Sequence, residues 1–246
     1  MARIFKIEDG AIFISDSHAN SNRPQFYEFL KYVNSLPTQP SQIFMLGDMF
    51  DFLANTTYSQ KFYKKEIDLI NEISQKCEIF YFEGNHDFNL KNIFPNVEIF
   101  AHKNQPVFFK SEFDDTFEIA HGDIFSDQPA PMCLRNNLFL SIANFVDRIC
   151  NFSISKNILK KQSQKSLDRK IENFANIIGK KIHKYGAKTI IEGHYHQDRI
   201  VEFGGKNYMN LSSFALTQQV YKFKAKKNEF VKISFEFKWK IAIMEF

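Results

Sequence analysis

Five short apolar runs in this chain each stop at a cluster of Gly, Asp, Asn or His, and that repetition narrows the folds it can adopt. Residues 11–14 run into Ser15-Asp16-Ser17-His18, and residues 43–46 into Gly47-Asp48. Residues 78–82 run into Glu83-Gly84-Asn85-His86-Asp87 and residues 117–120 into His121-Gly122-Asp123. Residues 189–191 lead through Glu192 to Gly193-His194-Tyr195-His196. A short apolar stretch bounded by turn formers reads as a buried strand. Pro24 opens a helical pattern over residues 25–35, and Phe62, Ile67, Ile70 and Ile73 recur at helical spacing over 61–75. Strand–helix–strand–helix–strand order predicts right-handed crossovers and a parallel start to a sheet. Later strands are expected at 107–109, 117–120, 189–191, 199–203 and 206–209. Most of their connections are too short for helices, so the class is α/β with mixed sheets packed face to face. Alternation over 231–237 predicts a half-exposed C-terminal strand.

In open α/β sheets, ligands gather at the carboxyl ends of strands. Asp16, His18, Asp48, Asn85, His86, His121, His194 and His196 are therefore expected to converge, although about 180 positions separate the first from the last. Residues two apart on an extended segment point the same way. Asp16 with His18, and His194 with His196, are thus expected to present paired ligands from extended stretches. Gly47, Gly84, Gly122 and Gly193 sit beside them, where a tight turn or close backbone approach favours glycine. Of seven histidines, only His102 and His183 fall outside such contexts, and both are assigned ordinary structural roles. Imidazole, carboxylate and amide without thiolate suit Mn²⁺, with Fe or Zn²⁺ as alternatives. Asp48 is placed to bridge two ions about 3.5–4 Å apart, an arrangement that clamps phosphoryl oxygens and activates water.

Together with Asp51 in Gly47-Asp48-Met49-Phe50-Asp51, these segments resemble the ordered motif set of the calcineurin-like metallophosphoesterases, from about residue 11 to about residue 210. The resemblance implies a four-layer sandwich of two mixed β-sheets flanked by helices, with a helical cap insertion. It implies two divalent ions, one on Asp16, His18, Asp48 and His196, the other on Asp48, Asn85, His121 and His194. It also implies His86 as the general acid, with Asp51 orienting it. Within that class the chain is most similar to the UDP-2,3-diacylglucosamine hydrolases of lipid A synthesis. The resemblance lies in Gly47-Asp48-Met49-Phe50-Asp51-Phe52, in the aromatic end of Gly84-Asn85-His86-Asp87-Phe88, and in a long helical insertion between His121 and His194. Those enzymes break the pyrophosphate of a UDP-sugar lipid, giving the lipid monophosphate and UMP. The best-known members carry Arg where this chain has His86. That departure keeps a second expectation open, a general phosphomonoesterase or phosphodiesterase acting on another substrate such as a nucleotide. A catalytically silent metal scaffold is a third reading, which no missing ligand supports.

The 246 residues are read as one domain with an insertion at 126–184. Two helices are expected there, over 138–149 and 167–184. The insertion carries eleven Lys and Arg against four Asp and Glu, a net +7. With +4 on the whole chain, the remainder is −3. Its apolar side chains either bury acyl chains or pack the insertion onto the body. Its basic ones suit diphosphate and anionic head groups. The expected partners are a nucleotide-sugar lipid or other phosphoester and the inner-membrane surface. No nucleic acid is expected, because the basic residues follow no binding module. The 29 Phe residues are read as core filling first. No apolar run of about eighteen residues, no secretory h-region and three unspaced cysteines point to a cytoplasmic protein, and the basic, apolar insertion to a peripheral place at the inner membrane.

Overall fold

Neighbouring residues of the central strands point into different cores, and this builds the layers. The computed structural model describes residues 4–125 and 135–235. Strands β1 (Phe5–Ile7), β2 (Ile12–Ile14), β3 (Gln42–Met45), β4 (Glu78–Phe82) and β5 (Glu98–Phe100) alternate with helices α1 (Gln25–Ser35), α2 (Thr57–Phe62) and α3 (Lys64–Ile73). Ile43, Met45, Ile79 and Tyr81 face α1 and α3, where Phe29, Leu30, Val33, Ile70 and Ile73 cover them. Phe44, Leu46, Phe80 and Phe82 face the other way, into a second core. Burial on both faces is what a parallel sheet between two layers requires.

The first sheet runs β12-β11-β2-β3-β4-β5, where β11 is Gln219–Lys224 and β12 is Glu229–Ser234. Strands β2 to β5 pair in parallel and the two C-terminal strands antiparallel. The second sheet runs β1-β6-β7-β8-β10-β9, with β6 Val107–Ser111, β7 Thr116–Ala120, β8 Thr189–Glu192, β9 Arg199–Phe203 and β10 Lys206–Asn210. The phenylalanines fill the layer between the sheets. Phe13 stacks on Phe44 at 4.3 Å between centroids, and Phe5, Phe80, Phe100 and Phe109 make edge contacts beside them. Each such side chain stabilises the fold by about 1.5–3 kcal/mol relative to exposure. Helix α6 (Phe174–Lys181) covers the outer face of the second sheet through Phe174 and Ile178 on Ile190 and Tyr208.

Three expectations change. The helix expected over 61–75 is two helices broken at Tyr63, whose buried hydroxyl donates to the Ala19 carbonyl (2.9 Å). Between β7 and β8 lie α4 (Asn137–Ile149), α5 (Ser153–Ser163) and α6, with α5 unforeseen. The helix expected over 167–184 forms only as α6 and a 3₁₀ turn at Ile182–Lys184. The backbone groups of Leu167, Arg169 and Ile171 are taken up by His196 and Gln197 instead. The start of the proposed insertion at 126, Cys133, and the last two residues of the strand expected at 231–237 lie outside the described residues. Among the described residues no helix is long and apolar enough to cross a membrane.

Candidate metal centre

Strands β2, β3 and β4 from one sheet, and β7 and β8 from the other, end at one rim of the sandwich. The loops there are held by backbone bonds across motifs: Asp16 N–H to Gly47 O (3.2 Å), His18 N–H to Asp48 O (3.0 Å) and Gly193 N–H to His121 O (2.9 Å). The expected extended geometry is not what pairs the ligands. Asp16, His18, Asp48, His194 and His196 all have φ between 42° and 61°. Left-handed backbone in non-glycine residues costs energy and survives only where surroundings enforce it. Here it turns each side chain inward from a tight loop.

The sequence-expected residues come together. Asp16, His18 and His196 form one group with ligand atoms within 4.8 Å of one another. Asp48, His121 and His194 form another, and His18, Asp48 and His86 a third between them. Asn85 joins the second, its Oδ1 3.3 Å from His121 Nε2. Four imidazoles have Nδ1 beside an oxygen: His121 on the Leu46 carbonyl (2.8 Å), His86 on the Asp51 carbonyl (2.8 Å), His196 on the Leu167 carbonyl (3.1 Å) and His18 on the Asp51 carboxylate (3.3 Å). The three carbonyl oxygens only accept, so Nδ1 of His121, His86 and His196 carries a hydrogen and Nε2 faces the pocket.

That arrangement fits a cation. His196 Nε2 faces Asp16 Oδ1 at 3.0 Å, and His121 Nε2 faces Asp48 Oδ2 at 3.5 Å. Without a cation a proton must stand between each pair: burial alone would lower both imidazoles, but Asp48 raises His121 well above the usual imidazole range and Asp16 raises His196. His18 Nδ1 and Nε2 are buried with no hydrogen-bond partner. Buried acceptors of this kind are costly unless positive charge joins them. Burial raises the Asp48 carboxyl, but His121, His86 and His18 overcome that and hold it well below the usual carboxylate range. Burial and His121 push His194 down to about 4. At neutral pH Asp48 is thus anionic and His194 neutral, the forms that ligate.

Several supporting residues carried no sequence signal. Asp51 meets His86, but through its backbone carbonyl. Its carboxylate lies on His18 and Arg23 (2.7 Å). Asp87 accepts backbone N–H groups from Asp48 (3.0 Å), Met49 (2.6 Å) and Gly84 (2.9 Å), tying two motifs together. Burial first, then the Asp48 charge, raises its carboxyl to about 6. Ser213 donates to the Asp16 carbonyl (2.7 Å). His102 lies 3.1 Å from Asp123. Arg135, just before α4, donates to the Gly84 carbonyl (2.8 Å).

The glycines are needed where side chains crowd. A Cβ on Gly84 would stand 2.2 Å from Asp48 Oδ1 and 2.6 Å from the Asp48 nitrogen. Gly84→Ala is expected to lower stability by about 1–3 kcal/mol, the usual cost of overpacking, and to displace Asp48. Urea unfolding of the metal-free protein checks this. An unchanged midpoint would show that the loop has room the distances deny.

This chain belongs to the calcineurin-like phosphoesterase family, whose pattern it matches over residues 11–198. It is a phosphoester hydrolase of a class that works with divalent metal. Among particular proteins it is similar to the UDP-2,3-diacylglucosamine hydrolase of Haemophilus influenzae (strain ATCC 51907 / DSM 11121 / KW20 / Rd), 26% identical over 199 residues, 76% of this chain and 83% of that enzyme. The enzyme of that name from Shewanella piezotolerans is 25% identical over 203 residues, 77% of this chain and 83% of its own. The one from Shewanella halifaxensis is 29% identical over 84 residues, 34% of this chain and 35% of its own. Among solved structures, a novel archaeal phosphodiesterase aligns over 92% of this chain and 99% of that one, with TM-score 0.45 and 15% identity.

Proposed function

We propose that the chain uses two divalent ions, Mn²⁺ by preference, to hydrolyse the pyrophosphate bond of UDP-2,3-diacylglucosamine, releasing UMP and the lipid monophosphate. Asp16, His18, Asp48 and His196 hold one ion, and Asp48, Asn85, His121 and His194 the other. Bound ions of this kind supply Lewis-acid stabilisation of phosphoryl charge and a nucleophile at neutral pH. Asp48 keeps its charge and carries it to both positions. His86, with Nδ1–H committed to the Asp51 carbonyl, directs Nε2 at the pocket and holds the proton for the leaving oxygen.

The observation that carries the lipid reading is α4. Leu138, Phe145 and Ile149 are 72%, 64% and 71% exposed, and Phe139, Ile142 and Val146 are exposed beside them. They do not pack onto the body, which α4 touches through buried Leu140 on Ala54 and Phe88, next to His86. An exposed apolar face of this size calls for an apolar partner. In this reading residues 126–184 form a cap within a single domain, and α4 meets acyl chains or the inner-membrane surface. Burial there yields about 0.8 kcal/mol per CH₂. Lys and Arg of the same segment face anionic head groups.

Purified protein is expected to release UMP from UDP-2,3-diacylglucosamine with Mn²⁺ and to stop with chelator. His86 favours a second reading, a general phosphodiesterase or phosphomonoesterase. Fast turnover of aryl phosphates or cyclic nucleotides with none of the lipid would choose it.

A further inference from the structure

The oxygens that hold Nδ1 of His86 and His121 belong to the loops of the sandwich rim, at Asp51 and Leu46. The one that holds Nδ1 of His196 does not. His196 Nδ1 meets the carbonyl of Leu167 (3.1 Å), in the irregular stretch between α5 and α6. The next residue pins that stretch. Gln197 Nε2 donates to the Arg169 carbonyl (2.7 Å), and Gln197 Oε1 accepts from the Ile171 N–H (2.9 Å). Alternate residues 167, 169 and 171 thus turn their backbone toward 196–197. Gln197 is itself fixed from the body: its N–H donates to Asn210 Oδ1 (2.7 Å), and the Asn210 amide donates to the Glu192 carbonyl (3.0 Å). A chain of contacts therefore runs from β10 through Gln197 to the helical segment and back to His196.

We propose that Gln197 is a positioning residue that registers residues 167–171 against His196, so that ion binding on the His196 side answers to the helical segment while the His121 side does not. This rests on the reading that Asp16, His18, Asp48 and His196 hold an ion. An acceptor on the far nitrogen fixes a ligand imidazole's tautomer and ring direction, and its loss typically costs 10–100-fold in metal affinity. His121 keeps its acceptor whatever the segment does. Movement of residues 167–171 when a substrate enters would then tune one ion position and spare the other.

The test is Mn²⁺ titration of the full chain by calorimetry, with metal-free melting temperatures alongside. The wild type is expected to take up two ions. Gln197→Met, which keeps length but none of the side chain's hydrogen bonds to Arg169, Tyr195 and Ile171, is expected to weaken one ion by about 10-fold or more and leave the other within about 2-fold. Gln197→Glu, which still accepts from Ile171 but cannot donate to Arg169, is expected to fall between them. Both variants are expected to melt as the wild type does without metal. Gln197→Met binding both ions normally, or weakening both equally, would overturn the proposal. A wild type that takes up no ion would remove the site reading beneath it, a result distinct from either.

Discussion

Asp48→Asn is expected to lower phosphoester hydrolysis on the order of 10³-fold or more, about 4 kcal/mol of transition-state stabilisation, while the metal-free chain stays folded. The amide keeps the shape and keeps an oxygen for the His86 N–H, which now donates to Asp48 Oδ1 at 2.8 Å. What it loses is charge. Asp48 stands in both the His18–His86 group and the His121–His194 group, and His18 also stands with Asp16 and His196. In the proposed reading the Asp48 carboxylate is the one the two ion positions share. An amide offers one oxygen and turns an NH₂ at whatever lies on the other side. Uptake of Mn²⁺ should fall below two ions per chain, and kcat/KM on a chromogenic diester should fall with it. An Asn variant that turned over at the wild-type rate would sink the dinuclear reading, whatever else the site does.

The convergence of these residues was legible in the sequence because each motif is local: a strand ends, a glycine gives room, and the His, Asp or Asn follows within two or three residues. The orientation of those side chains was not. Asp16 with His18, and His194 with His196, were read as extended pairs, yet all four sit in left-handed turns. Period two in the sequence does not reveal which backbone produces it. The layers followed from alternation, as in Ile43-Phe44-Met45, where each side feeds a different core. The reading failed at residues 167–173. Leu167, Ile171 and Phe174 satisfy a helical spacing, but hydrogen-bonding partners 26–29 positions away claim the backbone of Leu167, Arg169 and Ile171. Long-range anchors were invisible for the same reason. Arg23 on Asp51 spans 28 positions and leaves no local pattern. The apolar face of α4 was visible as composition, but whether it faced the body or the solvent was decided only by Leu140 being its one buried apolar residue.

His86 gives the second large effect, and its size depends on what leaves. A general acid typically contributes about 10²–10⁴-fold when the departing group needs a proton. An alkyl phosphodiester expels a strongly basic alkoxide, so His86→Ala is expected to cost that full factor. A pyrophosphate expels a phosphate monoester, whose second pKa is about 6, and which departs at neutral pH with little help. On UDP-2,3-diacylglucosamine the same variant should lose less than about 10-fold. That asymmetry separates the two readings of the chain. A fixed positive charge beside departing phosphate does there what proton donation does for an alkoxide. The measurement is kcat for wild type and His86→Ala on both substrates at saturating Mn²⁺. Equal losses on the two would overturn the acid role. They would make His86, which shares a group with His18 and Asp48 within 4.8 Å, a contributor to ion binding instead.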